Sequence, residues 1–133
     1  MTAISPRAVS RLPEAFSGEE SAAGYLEFSR EAGENLAIGT PVYVSGNKYY
    51  AADNVTNYKV VGIIKETVLM GFLATAVLSG PITLSGLSDG STYFLDNEII
   101  ANAAPASGMI IELGKAVSST ILIVGIKISV LLS

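Results

Sequence analysis

From Asn35 onward the chain is made of short apolar runs broken by Gly, Asn, Asp, Ser and Pro. The breaks recur roughly every 8–12 residues, the spacing of strands joined by tight turns. A helix needs a 3.6-residue apolar period sustained over about 10–12 residues, and no such stretch stands out. The runs are rich in Val, Ile and Tyr, whose branched or aromatic side chains suit a pleated, half-buried surface. The pattern predicts an all-β module, a small β-sandwich or β-barrel of short antiparallel strands.

The punctuation fixes individual turns. Ser45-Gly46-Asn47 lies between Val42-Tyr43-Val44 and Lys48-Tyr49-Tyr50-Ala51-Ala52, and Gly and Asn tolerate the positive φ of a tight hairpin turn. Asp96-Asn97 plays the same part before Glu98-Ile99-Ile100-Ala101. Tyr58–Glu66 is nearly continuous Val and Ile, so this strand is expected to be covered on both faces, with Gly62 at a bulge or a close backbone approach. Gly80-Pro81 reads as a break between Gly71–Ser79 and Ile82-Thr83-Leu84. Met109–Val117 and Ile121–Leu132 are two further strands. The last carries Val124, Ile126, Ile128, Val130 and Leu132 on one face, with Gly125, Lys127 and Ser129 on the other. Thr67-Val68-Leu69-Met70 is apolar where a turn is needed. Inward packing is the favoured reading there, and an exposed contact surface is the other.

Residues 1–30 read as an extended N-terminal arm and 31–133 as the β-module. The arm holds Pro6 and Pro13 and sustains neither apolar period; a short helix at Pro13–Phe16 and a strand at Tyr25–Glu31 leading into the module are expected. Charge is unevenly spread. Residues 1–34 hold three Arg and six Glu, whereas the 99 positions from 35 to 133 hold five Lys and six acids. A surface this poor in charge is expected to be covered by copies of itself or by partners, and a monomer with a neutral surface rich in Ser, Thr and Asn is the other reading. The net charge of −4 argues against a nucleic-acid surface. Ile121–Leu132 is too short for the roughly 20 residues of a spanning helix, and Lys127 interrupts it. Met1–Pro13 lacks a signal-peptide pattern, so synthesis in a cytoplasm is expected.

Chemistry is sparsely provided. The chain has no Cys and no His, which leaves no disulfide, no thiolate nucleophile and no basis for a zinc site. Gly86-Leu87-Ser88-Asp89-Gly90 fits the nucleophile-elbow pattern G-x-S-x-G. An elbow needs a strand-to-helix turn and a base, however, and a Ser-His-Asp triad is impossible here. The glycines are read as turn formers and no enzymatic activity is expected. Asp89, Asp96, Asn97 and Glu98 could gather oxygens for a cation, but they lack calcium-loop spacing, so turn formation is preferred and neither metal nor cofactor is expected. Asn54-Val55-Thr56 is a glycosylation sequon without a secretory context. Tyr43, Tyr49, Tyr50, Tyr58 and Tyr93 form an aromatic set. Packing is its ordinary role, and stacking on a sugar or a partner is the other, with Tyr43, Tyr49 and Tyr50 as the contact residues.

An ordered series of pieces resembles a family of tailed-bacteriophage structural proteins, the capsid decoration (cement) and head-fibre-like β-modules. The pieces are Ala32-Gly33-Glu34-Asn35-Leu36, Gly39-Thr40-Pro41-Val42-Tyr43-Val44, Asn47–Ala52, Val61–Ile64, Val77–Gly80, Gly86–Leu95 and Leu113–Leu122. Together they span about 100 of 133 residues. The arm and the long final strand lie outside the pattern. The resemblance implies a virion component on the capsid surface, a homotrimer bound to the major capsid protein, stabilising it without enzymatic activity. Leu69, Met70, Phe72, Ile126, Ile128, Val130 and Leu132 are the expected interface residues. The alternative is a head-fibre or tail-associated module that contacts host glycans.

Overall fold

A computed structural model of the protein describes residues 24–132. The arm up to residue 23, including the expected Pro13–Phe16 helix, lies outside the described residues, as do the side chains of Val130 and Leu132. The described chain is all-β, with nine strands and no helix: β1 (Leu26–Ala32), β2 (Pro41–Ser45), β3 (Lys48–Ala51), β4 (Gly62–Ile64), β5 (Leu73–Thr83), β6 (Thr92–Asp96), β7 (Ile99–Ala101), β8 (Gly108–Ala116) and β9 (Ile121–Leu132). They form one hydrogen-bonded sheet in the order β1-β3-β2-β4-β5-β9-β8-β6-β7.

β1 also pairs with β5, so the first five strands close into a ring. Closure hides the edges that open sheets expose. One pair departs from the antiparallel expectation: β1 runs parallel to β3, through Glu31 opposite Lys48 and Ala32 opposite Tyr49. The strand expected at Tyr25–Glu31 is therefore a wall of the ring and not merely a lead into it.

β5 joins the two halves of the molecule. Along one edge it meets β4 through Val77 and Ala76, then β9 from Ser79 to Thr83. Alternate residues of β4 and β5 face two different interiors. Ile64, Ala74 and Ala76 join Val42 and Tyr49 inside the ring. Ile63 and Val77 join Leu95, Ile111, Leu113 and Leu122 in the larger core beneath the β6–β9 extension. β4 is thus buried on both faces, as its unbroken apolar run predicts. A Cβ on Gly62 would lie 2.8 Å from the Val77 carbonyl oxygen, so its glycine serves the close approach of β4 to β5.

Three expectations need correction. The Tyr58–Glu66 run forms a ladder only over Gly62–Ile64, because the Val60 N–H bonds back to the Tyr58 carbonyl and turns the chain at Lys59. Gly80-Pro81 does not break β5. Pairing with β9 continues from Ser79 to Thr83 although Gly80 turns the backbone to a φ of 97°, and β1 ends opposite Ser79, so Pro81 has only β9 alongside it and no ladder bond on its other edge needs its missing N–H. The one-face pattern of β9 holds from Val124 through Ile126, with Gly125 and Lys127 outward, and fails at Ile128. Register shifts against β8, between Glu112 and Gly114 and between Ile110 and Ile111, disturb the alternation, and Ile128 is exposed.

Candidate functional site

The expected interface residues fall into two places. Leu69, Met70 and Phe72 lie at the tip between β4 and β5, where Leu73 joins them. The four side chains are 59%, 64%, 65% and 71% exposed, in the order Leu69, Met70, Phe72, Leu73. Inward packing of this turn, the reading favoured from sequence, is therefore overturned at Leu69 and Met70. The backbone explains the exposure. Leu36 and Val68 exchange both N–H···O bonds, the Met70 N–H bonds to the Asn35 side chain, and the Gly71 N–H bonds to the Ala32 carbonyl. These bonds pin the loop along its length, and Gly71 turns it at φ 93°. The side chains between the pins face outward on a fixed frame. The other members lie on β9, where Ile126 packs partly against the larger core and Ile128 is exposed.

The tyrosines expected to contact a sugar or partner take three different environments. Tyr49 points into the ring, is 1% exposed, and its hydroxyl donates to the Phe28 carbonyl at 2.9 Å. Burial raises its phenol pKa, against a smaller opposing effect of Arg30. No ligand reaches it. The Tyr50 ring lies against Gly33, where a Cβ would come within 2.3 Å of a ring carbon, and meets Tyr43 at 5.9 Å between centroids. Tyr43 lines a cleft among the described residues, with Tyr58 beside it.

That cleft measures about 300 Å³ and is walled by Tyr43, Thr56, Asn57, Tyr58 and Lys59. Its far wall is the loop after β3, and two neighbouring residues hold that loop. The Asp53 carboxylate accepts from the backbone N–H groups of Val55, Thr56 and Asn57. Burial pushes the Asp53 pKa up, but the bonds from Thr56, Val55 and Asn57 together outweigh it and leave the pKa lowered. Asn54 is 4% exposed. Its amide nitrogen donates to the Ser107 carbonyl at 2.7 Å, its amide oxygen accepts from the Asn97 N–H, and its backbone carbonyl accepts from the Met109 N–H. Asn54 thus ties the ring to the extension. The sequon that contains it is occupied structurally, because the nitrogen a glycan would use is buried and bonded.

A larger cleft of about 660 Å³ opens between the Ala37–Thr40 loop, Thr83–Ser85 and the Glu98–Ile100 side of the β6–β7 hairpin. Its lining is mostly apolar. The Gly86–Gly90 segment lies nearby and is a clamped turn. Gly86 and Gly90 have φ of 74° and 85°, the Leu87 and Gly90 N–H groups bond to the Ser119 and Ala116 carbonyls, and the Ser88 N–H donates to the Tyr93 hydroxyl. A strand, β6, follows instead of the helix an elbow requires. Asn97 and Glu98 both take positive φ as the two turn residues of the β6–β7 hairpin, and among the described residues no three acids gather into a cation-sized cluster.

One polar group on the outside of the ring is electrostatically coupled. The Lys65 ammonium donates to Glu27 Oε1 at 2.8 Å, and the Tyr25 hydroxyl donates to the same oxygen. The bond from Lys65 comes first in lowering the Glu27 pKa, and Glu27 in turn raises the pKa values of Lys65 and Tyr25. All three side chains are half-buried at the protein's surface, so the group serves as a local strut between β1 and the end of β4.

Sequence reasoning placed Tyr58 in the aromatic set without singling it out, and it passed over Asn57 and Lys59 as cleft-lining residues and the anchoring role of Asn54. One signal was present in the sequence. An Asp four residues ahead of an Asn, directly before an aromatic, is a side-chain-capped turn that fixes the residues after it. Comparison of the sequence with models of known protein families and with curated proteins finds no match.

Proposed function

We propose that the chain is a structural component of a tailed-phage virion, a capsid decoration protein that trimerises on the capsid surface and stabilises contacts between major capsid subunits. The observation that carries this reading is the exposed apolar tip, Leu69, Met70, Phe72 and Leu73, held outward on a bonded frame. Isolated apolar residues on a surface are ordinary, but four within five positions form a patch of the kind that marks an association surface. The low charge of residues 35–133 supports the same reading, as does the ordered resemblance to the decoration and head-fibre-like modules. A cement protein works by mass action: it binds the assembled shell and not the free subunits, so its binding free energy is added to the stability of the shell.

The test has two steps. Light scattering on the purified chain at tens of micromolar is expected to give three times the chain mass of 13.8 kDa. Particles stripped of the protein are then heated beside intact ones and are expected to open at lower temperature. A monomer in the first step, or identical opening temperatures in the second, would count decisively against the reading.

A further inference from the structure

We propose that the cleft between Tyr43 and Tyr58 is a saccharide-binding site, and that its ligand class is a pyranose carrying a carboxylate. The inference does not depend on where the protein sits in a virion.

Four observations meet at this cleft. First, its aromatic walls are rigid. Tyr43 and Tyr58 pack partly against the larger core while lining the cleft, and Tyr43 is braced from the side by Tyr50, itself backed by Gly33. An aromatic face fixed in this way offers its quadrupole to the C–H face of a sugar at little entropic cost. Second, the polar wall is preorganised. Asp53 spends its carboxylate on three backbone N–H groups, and Asn54 anchors the loop from beneath, so Thr56 and Asn57 are presented on a fixed turn. Their hydroxyl and amide groups provide donors and acceptors matched to sugar hydroxyls. Neither side chain makes an internal hydrogen bond among the described residues. Third, the volume of about 300 Å³ suits one or two sugar rings and is small for a protein segment.

Fourth, the charge at the cleft selects the ligand. Lys59 is exposed on its rim and, among the described residues, makes no ion pair; the other two lysines near the ring, Lys48 and Lys65, are paired with Glu31 and Glu27. The nearest carboxylate along the chain, Asp53, is already committed to the loop backbone. An ammonium with no ion pair among the described residues, beside two tyrosines and an amide, favours a sugar acid over a neutral sugar.

Saturation-transfer NMR and titration calorimetry on the full chain test this with glucuronic acid, galacturonic acid and N-acetylneuraminic acid, each beside glucose and galactose. At least one acid is expected to show transfer and millimolar or tighter affinity. Lys59→Gln is expected to weaken that affinity about tenfold while leaving any neutral-sugar signal unchanged. Asn57→Ala is expected to weaken it several-fold, and Tyr58→Ala to abolish it. Unchanged thermal melting of Lys59→Gln and Asn57→Ala separates loss of the site from loss of the fold, so the proposal stands or falls on those two even if Tyr58→Ala is unstable. No transfer to any sugar acid at ten millimolar overturns the proposal. Equal binding of neutral and acidic sugars with no effect of Lys59→Gln overturns it as well.

Discussion

Asn54 shows how a single polar side chain can join two halves of a small β-protein. It is buried, yet its amide donates and accepts, so its desolvation is compensated by the Ser107 carbonyl and the Asn97 N–H. Asn54→Ala strands both partners, and leaving buried polar groups unpaired costs about 1–3 kcal/mol. Denaturant titration is expected to show that loss. A change below about 0.5 kcal/mol would mean that water replaces the amide. Asn54 is also why Gly108 is a glycine: at φ 87° a Cβ there would lie 2.5 Å from the Asn54 carbonyl oxygen. Its neighbour Asp53 makes a pH prediction. Its folded pKa is lowered, as is that of Glu27, so each contributes stability that is fully present above its unfolded pKa and lost as pH falls through its folded one. The acid limb is therefore expected below about pH 4, where ordinary carboxyls begin to protonate. Asp53→Asn should flatten that limb while lowering stability at neutral pH. A variant whose acid limb overlays the parent's would show that the loop clamp does not depend on charge.

At the scale of elements, the β6–β7 hairpin carries a mismatch between residue and conformation. Both of its turn residues sit at positive φ, Asn97 at 52° and Glu98 at 74°. Asparagine tolerates that region, whereas glutamate costs about 1 kcal/mol or more there. Glu98→Gly is expected to stabilise the protein by about 0.5 kcal/mol, after glycine's greater unfolded freedom is set against the relief. Glu98→Ala, which removes the charge but keeps a Cβ, should give no such gain, and equal gains from both would place the effect in the charge. This hairpin also shows what was legible in the sequence. Turn residues announce themselves through backbone chemistry, so Ser45-Gly46-Asn47 and Asp96-Asn97 located their hairpins to within a residue; the first turn is Gly46-Asn47, and the second lies one residue later than expected, at Asn97-Glu98. Apolar continuity likewise gave the double burial of β4. Pairing between distant strands leaves no such local mark. Nothing in Leu26–Ala32 reveals that it lies parallel to β3 and closes a ring against β5, and nothing at Gly80-Pro81 reveals that the β1 ladder stops at Ser79 and leaves Pro81 without a partner on that edge. The clefts were illegible for the same reason. Tyr49 and Tyr50 are adjacent in the chain, yet the pleat sends one into the ring and leaves the other against Gly33 and Tyr43, beside a cleft it does not line.

For the whole molecule, the question is whether the apolar tip is enough to hold copies together. Fully covering Leu69, Met70, Phe72 and Leu73 would contribute about 1.5–3 kcal/mol each, an upper bound near 6–12 kcal/mol for each copy because the side chains are already partly sheltered. Association costs about 4–15 kcal/mol in lost translation, rotation and side-chain freedom. Gain and cost are of the same size, so an assembly built on this tip is sensitive to single residues, and its partner surface must contribute beyond the four. Phe72→Glu removes one side chain's burial and places a charge where it would have to be desolvated, which shifts the balance by several kcal/mol. The substitution is expected to turn an assembled species into a monomer by light scattering at tens of micromolar. Because Phe72 is exposed in the described fold, the variant's monomeric module should keep the parent's β-sheet circular dichroism and denaturant midpoint, with any loss confined to the concentration-dependent part of stability. Tyr58→Phe serves as a control elsewhere on the surface and is expected to leave the mass unchanged. If Phe72→Glu scatters with the parent's mass, the tip is not the contact, and exposed Ile128 on β9 becomes the residue to alter next.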